Sequence, residues 1–414
     1  MIERRVERSA SVTHVTVGET PASEGEGPNV ESGAPEFARA RVDKVLGHGS
    51  YATTPMDELR YGIVGVGMMG LEHIRNLQAL DGARVTVIAD PSAASRDWAR
   101  VTAGDDELEC FATHHEMLES GLVDAIVIST PNMTHVDVVL DVLASSLPVL
   151  VEKPLCTTVA DCRRVIDAAK GRDAIVWVGL EYRYMPPVAR LIREVRAGTV
   201  GPVKMVAIRE HRFPFLPKVD DWNRFNRNTG GTLVEKCCHF FDLMNHIVGA
   251  VPTRVFASGG ADVNHRDERY DGEVPDILDN AYVMLDYPDG TRGMLDLCMF
   301  AEGSAEQEEI SVVGTEAKIE ATLPGAELRI GRRDGGRAGV RREVVHDASV
   351  EHEGFHHGSS YLEHVDFLRT IRSGGRPAVG LQEGLESVAV GVAAHRSIEA
   401  GRPVLLAEVL GAES

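Results

Sequence analysis

The fold class this sequence predicts is α/β: a doubly wound parallel sheet, then an α+β half with a large open mixed or antiparallel sheet. Three observations carry that reading. Between residues 59 and 179, short continuously apolar runs alternate with amphipathic stretches, the pattern of strands buried on both faces and linked by helices. Beyond 179 the rhythm changes to alternating runs joined by tight turns, which build antiparallel or mixed sheets. The chain also has 414 residues, more than a single core usually holds.

In the first half, strands are expected at 60–64, 84–89, 125–129, 149–151 and 175–178. Leu71, Ile74, Leu77 and Leu80 repeat every three residues between the first two, and 135–143 and 159–169 are helical in the same way. Right-handed crossovers then give the doubly wound arrangement. In the second half the expectations are a helix at 187–197, a strand at 204–210 and a polar, aromatic loop at 211–229. A helix at 232–248 follows, then strands at 254–259, 281–287, 291–299, 308–313 and 318–321. Asp289-Gly290 marks a hairpin. Helices at 360–373 and 382–400 close the chain. The domain division read from this is 57–180 and 181–414, with residues 1–56 as a tail.

That tail is rich in Gly, Ser, Thr, Pro and Glu without sustained periodicity, a composition that reads as disorder. Arg4-Arg5 is not followed by the apolar stretch an export signal needs. Met56 opens a strand-like run, so two readings stay open: a native appendage, or an extension ahead of a start at Met56.

A formal net charge of −20 argues against nucleic acid and anionic membrane surfaces as partners. No run approaches the roughly 18 apolar residues of a membrane span. The six cysteines show no zinc or C-x-x-C spacing. Cys237-Cys238 is read as two small buried hydrophobes in preference to a redox pair. No metal site is expected, and the expected compartment is the reducing cytoplasm.

The chemistry starts at Gly65-Val66-Gly67-Met68-Met69-Gly70, a G-x-G-x-x-G directly after a strand and opening a helix. In that context the glycines permit a tight turn, close approach of a pyrophosphate and close helix–strand packing, as in a Rossmann dinucleotide site. Asp90 ends the second strand twenty residues on. A carboxylate there binds the adenosine ribose and repels a 2′-phosphate, which favours NAD over NADP, although Ser92 and Arg96 lie close by. Thr130-Pro131-Asn132, with His135 just beyond, follows another strand at the edge where open sheets bind ligands. Glu152-Lys153-Pro154 follows the next, where a lysine can stabilise a developing alkoxide. On the 232–248 helix, Glu235, His239, Asp242 and His246 fall on one face, opposite Leu233, Cys237, Phe240 and Met244. Glu235 and His239 are then expected to be neighbours one turn apart.

These motifs, GVGMMG, ADPS, STPNMTH, VEKP and GGTLVEKCCHFFDL, resemble the Gfo/Idh/MocA family, named for glucose–fructose oxidoreductase, inositol dehydrogenase and MocA. The likeness runs from about residue 59 to GRPVLL near the C-terminus. It implies NAD(P)-linked oxidation or reduction of a sugar or polyol hydroxyl, and homo-oligomers formed through the open sheet. It also implies that Lys153 lies between nicotinamide and substrate and that His239 is the catalytic histidine. The family's usual aspartate four residues before that histidine is here Glu235.

Arg183 and Trp222 join Lys153, Glu235 and His239 as expected substrate contacts. Weaker candidates are Glu181, Tyr182, Arg209, Asn226, His352, His356, His357, Tyr361 and His364. Two rival readings of the whole are a glycosidase or lyase that uses NAD for transient oxidation and elimination, and a non-catalytic nucleotide- or sugar-sensing protein.

Overall fold

The computed structural model describes residues 58–411; the expected disordered tail lies outside them. Six strands alternate with five helices in the first half. They are β1 (Leu59–Val64), α1 (Met68–Gln78), β2 (Ala83–Ala89), α2 (Ala93–Ala103), β3 (Glu109–Phe111), α3 (His114–Glu119), β4 (Ala125–Ile128), α4 (His135–Leu143), β5 (Val149–Glu152), α5 (Val159–Ala168) and β6 (Val176–Gly179). All the pairings are parallel, in the order β3-β2-β1-β4-β5-β6. The order reverses beside β1, so β1 and β4 splay their C-terminal loops into the crevice where such sheets bind ligands. Both faces are buried. Ala125, Val127, Leu150 and Trp177 enter one cluster, and Ile126, Ile128, Val151 and Val178 enter the other.

The second half opens with α6 (Pro186–Arg196), β7 (Val203–His211), α7 (Asn226–Thr229), α8 (Thr232–Glu235) and α9 (Cys238–Val248). It continues with β8 (Arg254–Gly260), β9 (Asn280–Asp286), β10 (Arg292–Cys298), β11 (Glu308–Gly314), β12 (Ala317–Leu323), β13 (Glu327–Arg332) and β14 (Val340–Val344). Then come α10 (Ser359–Ser373), α11 (Leu381–Ala400), β15 (Val404–Leu405) and α12 (Leu406–Leu410). The sheet is mixed and nine-stranded, ordered β14-β13-β12-β11-β7-β10-β9-β8-β15, with β7 parallel to β10 and antiparallel to β11. The Asp289-Gly290 turn joins antiparallel β9 and β10, with Gly290 at φ 82°. One sheet face packs on helices, so Ala281, Val283 and Leu285 are buried while Tyr282 and Met284 between them are exposed.

Two expectations need correction. The helix foreseen over 232–248 is two helices, α8 and α9, separated at Lys236-Cys237. The amide of Cys237 reaches back five residues to the Thr232 carbonyl (3.3 Å), so the four-residue hydrogen-bond ladder is interrupted and the face drawn through Glu235, His239, Asp242 and His246 does not hold. The supposed loop at 211–229 contains a strand end and the short α7. Strands β3, β13, β14 and β15 went unforeseen. The first and last are three and two residues long, and β13 and β14 carry the Arg and Glu that blunt a sheet edge and blur its alternation.

Candidate active site

Gly65, Gly67 and Gly70 each have a separate steric reason. Gly65 has φ 84°, and a side chain there would meet the Thr130 backbone at 2.8 Å. A side chain on Gly70 would collide with the Gly65 carbonyl. At Gly67 a Cβ would touch nothing within 4 Å: that face is open to a cavity of about 460 Å³. Gly67 caps α1 without any side-chain hydrogen bond, so the first amides of the helix stay available to an anion.

The cavity wall gathers the strand-end residues singled out in the sequence. Gly65, Gly67, Met68, Met69 and Asp90 form one side. Thr130, Pro131, Asn132 and His135 form the next, and Glu152, Lys153, Trp222 and Glu235 close the far end. Asp90 accepts hydrogen bonds from Val66 N (2.9 Å) and Ser92 N (2.8 Å), which leaves each oxygen a lone pair for a hydroxyl. Arg96 is turned away onto the carbonyls of Asp90 (2.6 Å) and Pro91 (3.1 Å). An open glycine cradle, uncapped helix amides and a carboxylate with lone pairs to spare together fit a dinucleotide.

Lys153 is set by the break between α8 and α9. The Glu235 carbonyl, outside any helical ladder, receives Lys153 Nζ at 3.4 Å and the Cys238 thiol at 3.5 Å. Burial opposes the lysine's charge, but the Cys238 sulfur and the carboxyls of Glu152, Glu181 and Glu235 outweigh it and raise its pKa. It is therefore an ammonium, suited to stabilising negative oxygen. Glu152 is turned inward, with Oε1 3.1 Å from His73 Nε2, and His73 in turn contacts His364 Nε2 at 2.8 Å. Burial favours its neutral form, yet the His73 hydrogen bond and nearby charges hold Glu152 below the usual carboxylate range.

His239, an expected substrate contact, is not on the cavity wall and is 1% exposed. Its ring stacks on Tyr182, with centroids 3.9 Å apart and planes 8° from parallel. Burial, then the charges of Lys153 and Lys236, push its pKa well below that of free histidine, so it is neutral and able to accept a proton. The carboxyl group at its ring is Glu181, with Oε2 3.7 Å from Nδ1; Glu235, the expected neighbour, forms no ion pair with it among the described residues. Burial raises the Glu235 pKa, with Lys153 and Lys218 opposing.

Other expectations land elsewhere. Arg183 is not at the cavity: its Nε donates to Asp242 (2.6 Å), a second nitrogen bonds the other Asp242 oxygen, and Nη1 donates to the Ala378 carbonyl (3.0 Å). A buried charge must be paired, and this pair fully occupies both residues. His135 is on the wall but lies between the carbonyls of Pro154 (2.8 Å) and Thr130 (3.0 Å), bracing the two loops. His246 meets Arg196, and Arg209 meets Glu309. Sequence reasoning missed Lys218, which lines the cavity with Pro217, Val219 and Asp220. It also missed His73. Nothing local marks either one, since Lys218 sits in an irregular segment and His73 falls on a helix. His114, His115 and Asp141 cluster at the surface, outside the cavity wall.

Residues 59–180 match the oxidoreductase family's NAD-binding Rossmann fold, and residues 192–406 match the same family's C-terminal alpha/beta domain. Myo-inositol 2-dehydrogenase of Thermotoga maritima is 29% identical over 354 residues, 85% of this chain and 100% of that protein. The rhizopine catabolism protein MocA of Rhizobium meliloti is 30% identical over 244 residues, 58% of this chain and 72% of that protein. The crystal structure of a probable dehydrogenase from Thermotoga maritima superposes with TM-score 0.69 at 28% identity, covering 85% of this chain and all of the other. Levoglucosan dehydrogenase in complex with NADH and levoglucosan reaches 0.74 at 20% identity over 84% of this chain and 98% of its own, a likeness of fold. With both halves matched in order across nearly all of residues 59–406, the chain belongs to the Gfo/Idh/MocA family of oxidoreductases.

Proposed function

We propose that this protein is an NAD-linked dehydrogenase that moves hydride between the cofactor and a hydroxyl-bearing carbon of a sugar, glycoside or cyclic polyol. The observation that carries the reading is the placement of a half-buried ammonium, Lys153, on the wall of the nucleotide cavity against the turn that leads to the neutral His239. Inositol dehydrogenases among the relatives support the substrate class. Residues 57–180 hold the nucleotide and 181–414 hold the substrate.

Bound NAD would supply the hydride acceptor and leave the protein to handle the proton and the oxygen. Lys153 stabilises the oxygen as it becomes an alkoxide. His239 accepts the hydroxyl proton. Glu235, on the cavity wall with Trp222, holds a second hydroxyl. Pro217, Lys218, Val219 and Asp220 complete the wall beside Trp222.

The same reading makes the protein a cytoplasmic homo-oligomer. Its six cysteines are all free, which suits a reducing compartment. Among the described residues no helix is long and apolar enough to cross a membrane. The open sheet face exposes Met205, Phe256, Tyr282, Met284 and Met294, a patch suited to a second copy.

The test is to purify the protein and screen inositols, sugars and glycosides for NADH formation. NAD should be preferred to NADP, and Asp90→Ala should narrow that preference by weakening NAD. Binding of NAD without turnover of any polyol or sugar overturns the proposal.

A further inference from the structure

Glu181 stands between two imidazoles. Its Oε2 is 3.7 Å from His239 Nδ1, and its Oε1 is 3.4 Å from His356 Nδ1. All four of these atoms are buried, and none makes a hydrogen bond. Buried polar atoms rarely go unpartnered, and here the four face one another in pairs. A small rotation of the carboxyl or the rings closes both hydrogen bonds, as happens when a resting site tightens around substrate. Exposure is graded along the line: the side chains of His239 and Glu181 are 1% and 2% exposed, while His356 is 21% exposed. Tyr182 stacks on His239 and also lies 5.7 Å, centroid to centroid, from the His356 ring. One aromatic wall therefore flanks both histidines.

We propose that Glu181 is a proton-relay residue that carries the substrate proton from His239 to His356 and so to solvent. This rests on the dehydrogenase reading. In the oxidative direction the C–H bond breaks with both electrons leaving as hydride to NAD, and the O–H proton passes to His239 Nε2. His239 then releases its Nδ1 proton to Glu181 Oε2. The carboxylic acid turns and gives a proton to His356 Nδ1, and His356 Nε2 loses one to water. The net products are ketone, NADH and one solvated proton; Glu181 returns to its starting state, while His239 and His356 are left in their opposite tautomers and are reset by proton exchange with water before the next turnover. Reduction runs the same path inward.

The surroundings of Glu181 suit the task. Facing it are Glu152 and Lys153 from the end of β5, Lys236 and Cys238 between and on α8 and α9, and Glu363 from α10. Burial, then the Glu152 charge, raise its pKa to about 8, with Lys153 and Lys236 working against them. A carboxyl that gains and loses a proton near neutral pH can relay one; burial, then the charges of Lys236 and Lys153, push the pKa of His356 down to about 3, so it holds the proton only in passing to water.

The test uses the full chain and two variants, Glu181→Gln and His356→Gln. Glu181→Gln keeps the shape and cannot pass a proton. It should lower kcat for polyol oxidation by roughly 10–100-fold, leave KM within about twofold, and remove the acid limb of the pH profile near pH 8. His356→Gln, at the exposed end, should show a smaller loss of the same kind, recovered by imidazole buffer. It keeps the test decisive if Glu181→Gln does not fold. A second readout needs no turnover: difference infrared spectra of the unliganded protein should show a protonated carboxyl band that titrates near neutrality, vanishes in Glu181→Gln and shifts in His356→Gln. A wild type that oxidises no polyol but shows that band fails the dehydrogenase reading and keeps the proton coupling. Unchanged kcat and pH profile in both variants, or the absence of such a band, overturns the relay.

Discussion

His239 can act as a base only while its Nε2 is bare, so its Nδ1 must hold the proton. Glu181 is the group placed to favour that tautomer, and Tyr182 fixes the plane of the ring. Lys153 cannot take over as base, because its surroundings raise its pKa. Lys153→Ala should therefore cost turnover on the order of 10²–10³, the range for a lost oxyanion donor, and His239→Asn roughly 10²–10⁴. Both act on one oxygen, so the double variant should lose less than the product of the single losses. Steady-state kinetics on the three variants checks this; a fully multiplicative double variant would separate the two roles. At this scale the legible residues were those with a motif and a strand end behind them: Gly65, Gly67, Gly70, Asp90 and Lys153. Glu181 was visible only as a polar residue after a strand end, and His356 only as one before a helix. Their pairing joins positions 175 residues apart in the chain, which no local pattern carries. Arg183 misled for the same reason: its partner Asp242 is distant in sequence.

Among the elements, α8 shows how tertiary contacts override periodicity. It is one turn long, opens at Gly230-Gly231 with φ of 82° and 91°, and is held from outside. His395 on α11 accepts the Leu233 amide at 3.2 Å, in space that any side chain on Gly231 would occupy. Gly391, a turn earlier on α11, lets that helix press against the Leu233 carbonyl. These contacts hold α8 where the Glu235 carbonyl meets Lys153, so a glycine and a histidine help to place its ammonium. Burial lowers the pKa of His395 to about 4, against about 6.5 in the unfolded chain. Its contribution is therefore complete above pH 6.5 and fades as pH falls from there toward 4. His395→Gln retains an acceptor without the titration. Between pH 7 and pH 5 the wild type should lose about 2 kcal/mol more stability than this variant. Urea denaturation at the two pH values measures the difference, and parallel losses would mean His395 does not titrate as a neutral cap.

At the scale of the whole molecule, both sheets and their order of appearance were legible, because alternation and continuous apolar runs survive in every central strand. The role proposed for the outer sheet face came only from the family resemblance, since each exposed residue is unremarkable alone. Register turns them into a surface. Phe256 pairs with Met284, and Met284 pairs with Met294, so three adjacent strands present their apolar side chains in one row. Tyr282, two residues along β9, extends the row and is 62% exposed; Met284 is 53% exposed. An apolar row on a flat sheet is costly in water and is stabilised when a second copy covers it, with burial contributing about 25 cal/mol per Å². Met284 lies at the centre of the row, and its side chain points away from the sheet face that packs on helices. Met284→Arg should therefore place a charge in the middle of the contact without disturbing the cavity, since arginine is tolerated on an exposed strand and is strongly unfavourable once buried unpaired. Sedimentation velocity should show the assembly falling to smaller species, while NAD binding per protomer stays within about threefold. An unchanged sedimentation profile would place the interface on another surface. A monomer that has also lost NAD binding would mean that the sheet contact supports the fold of the nucleotide half.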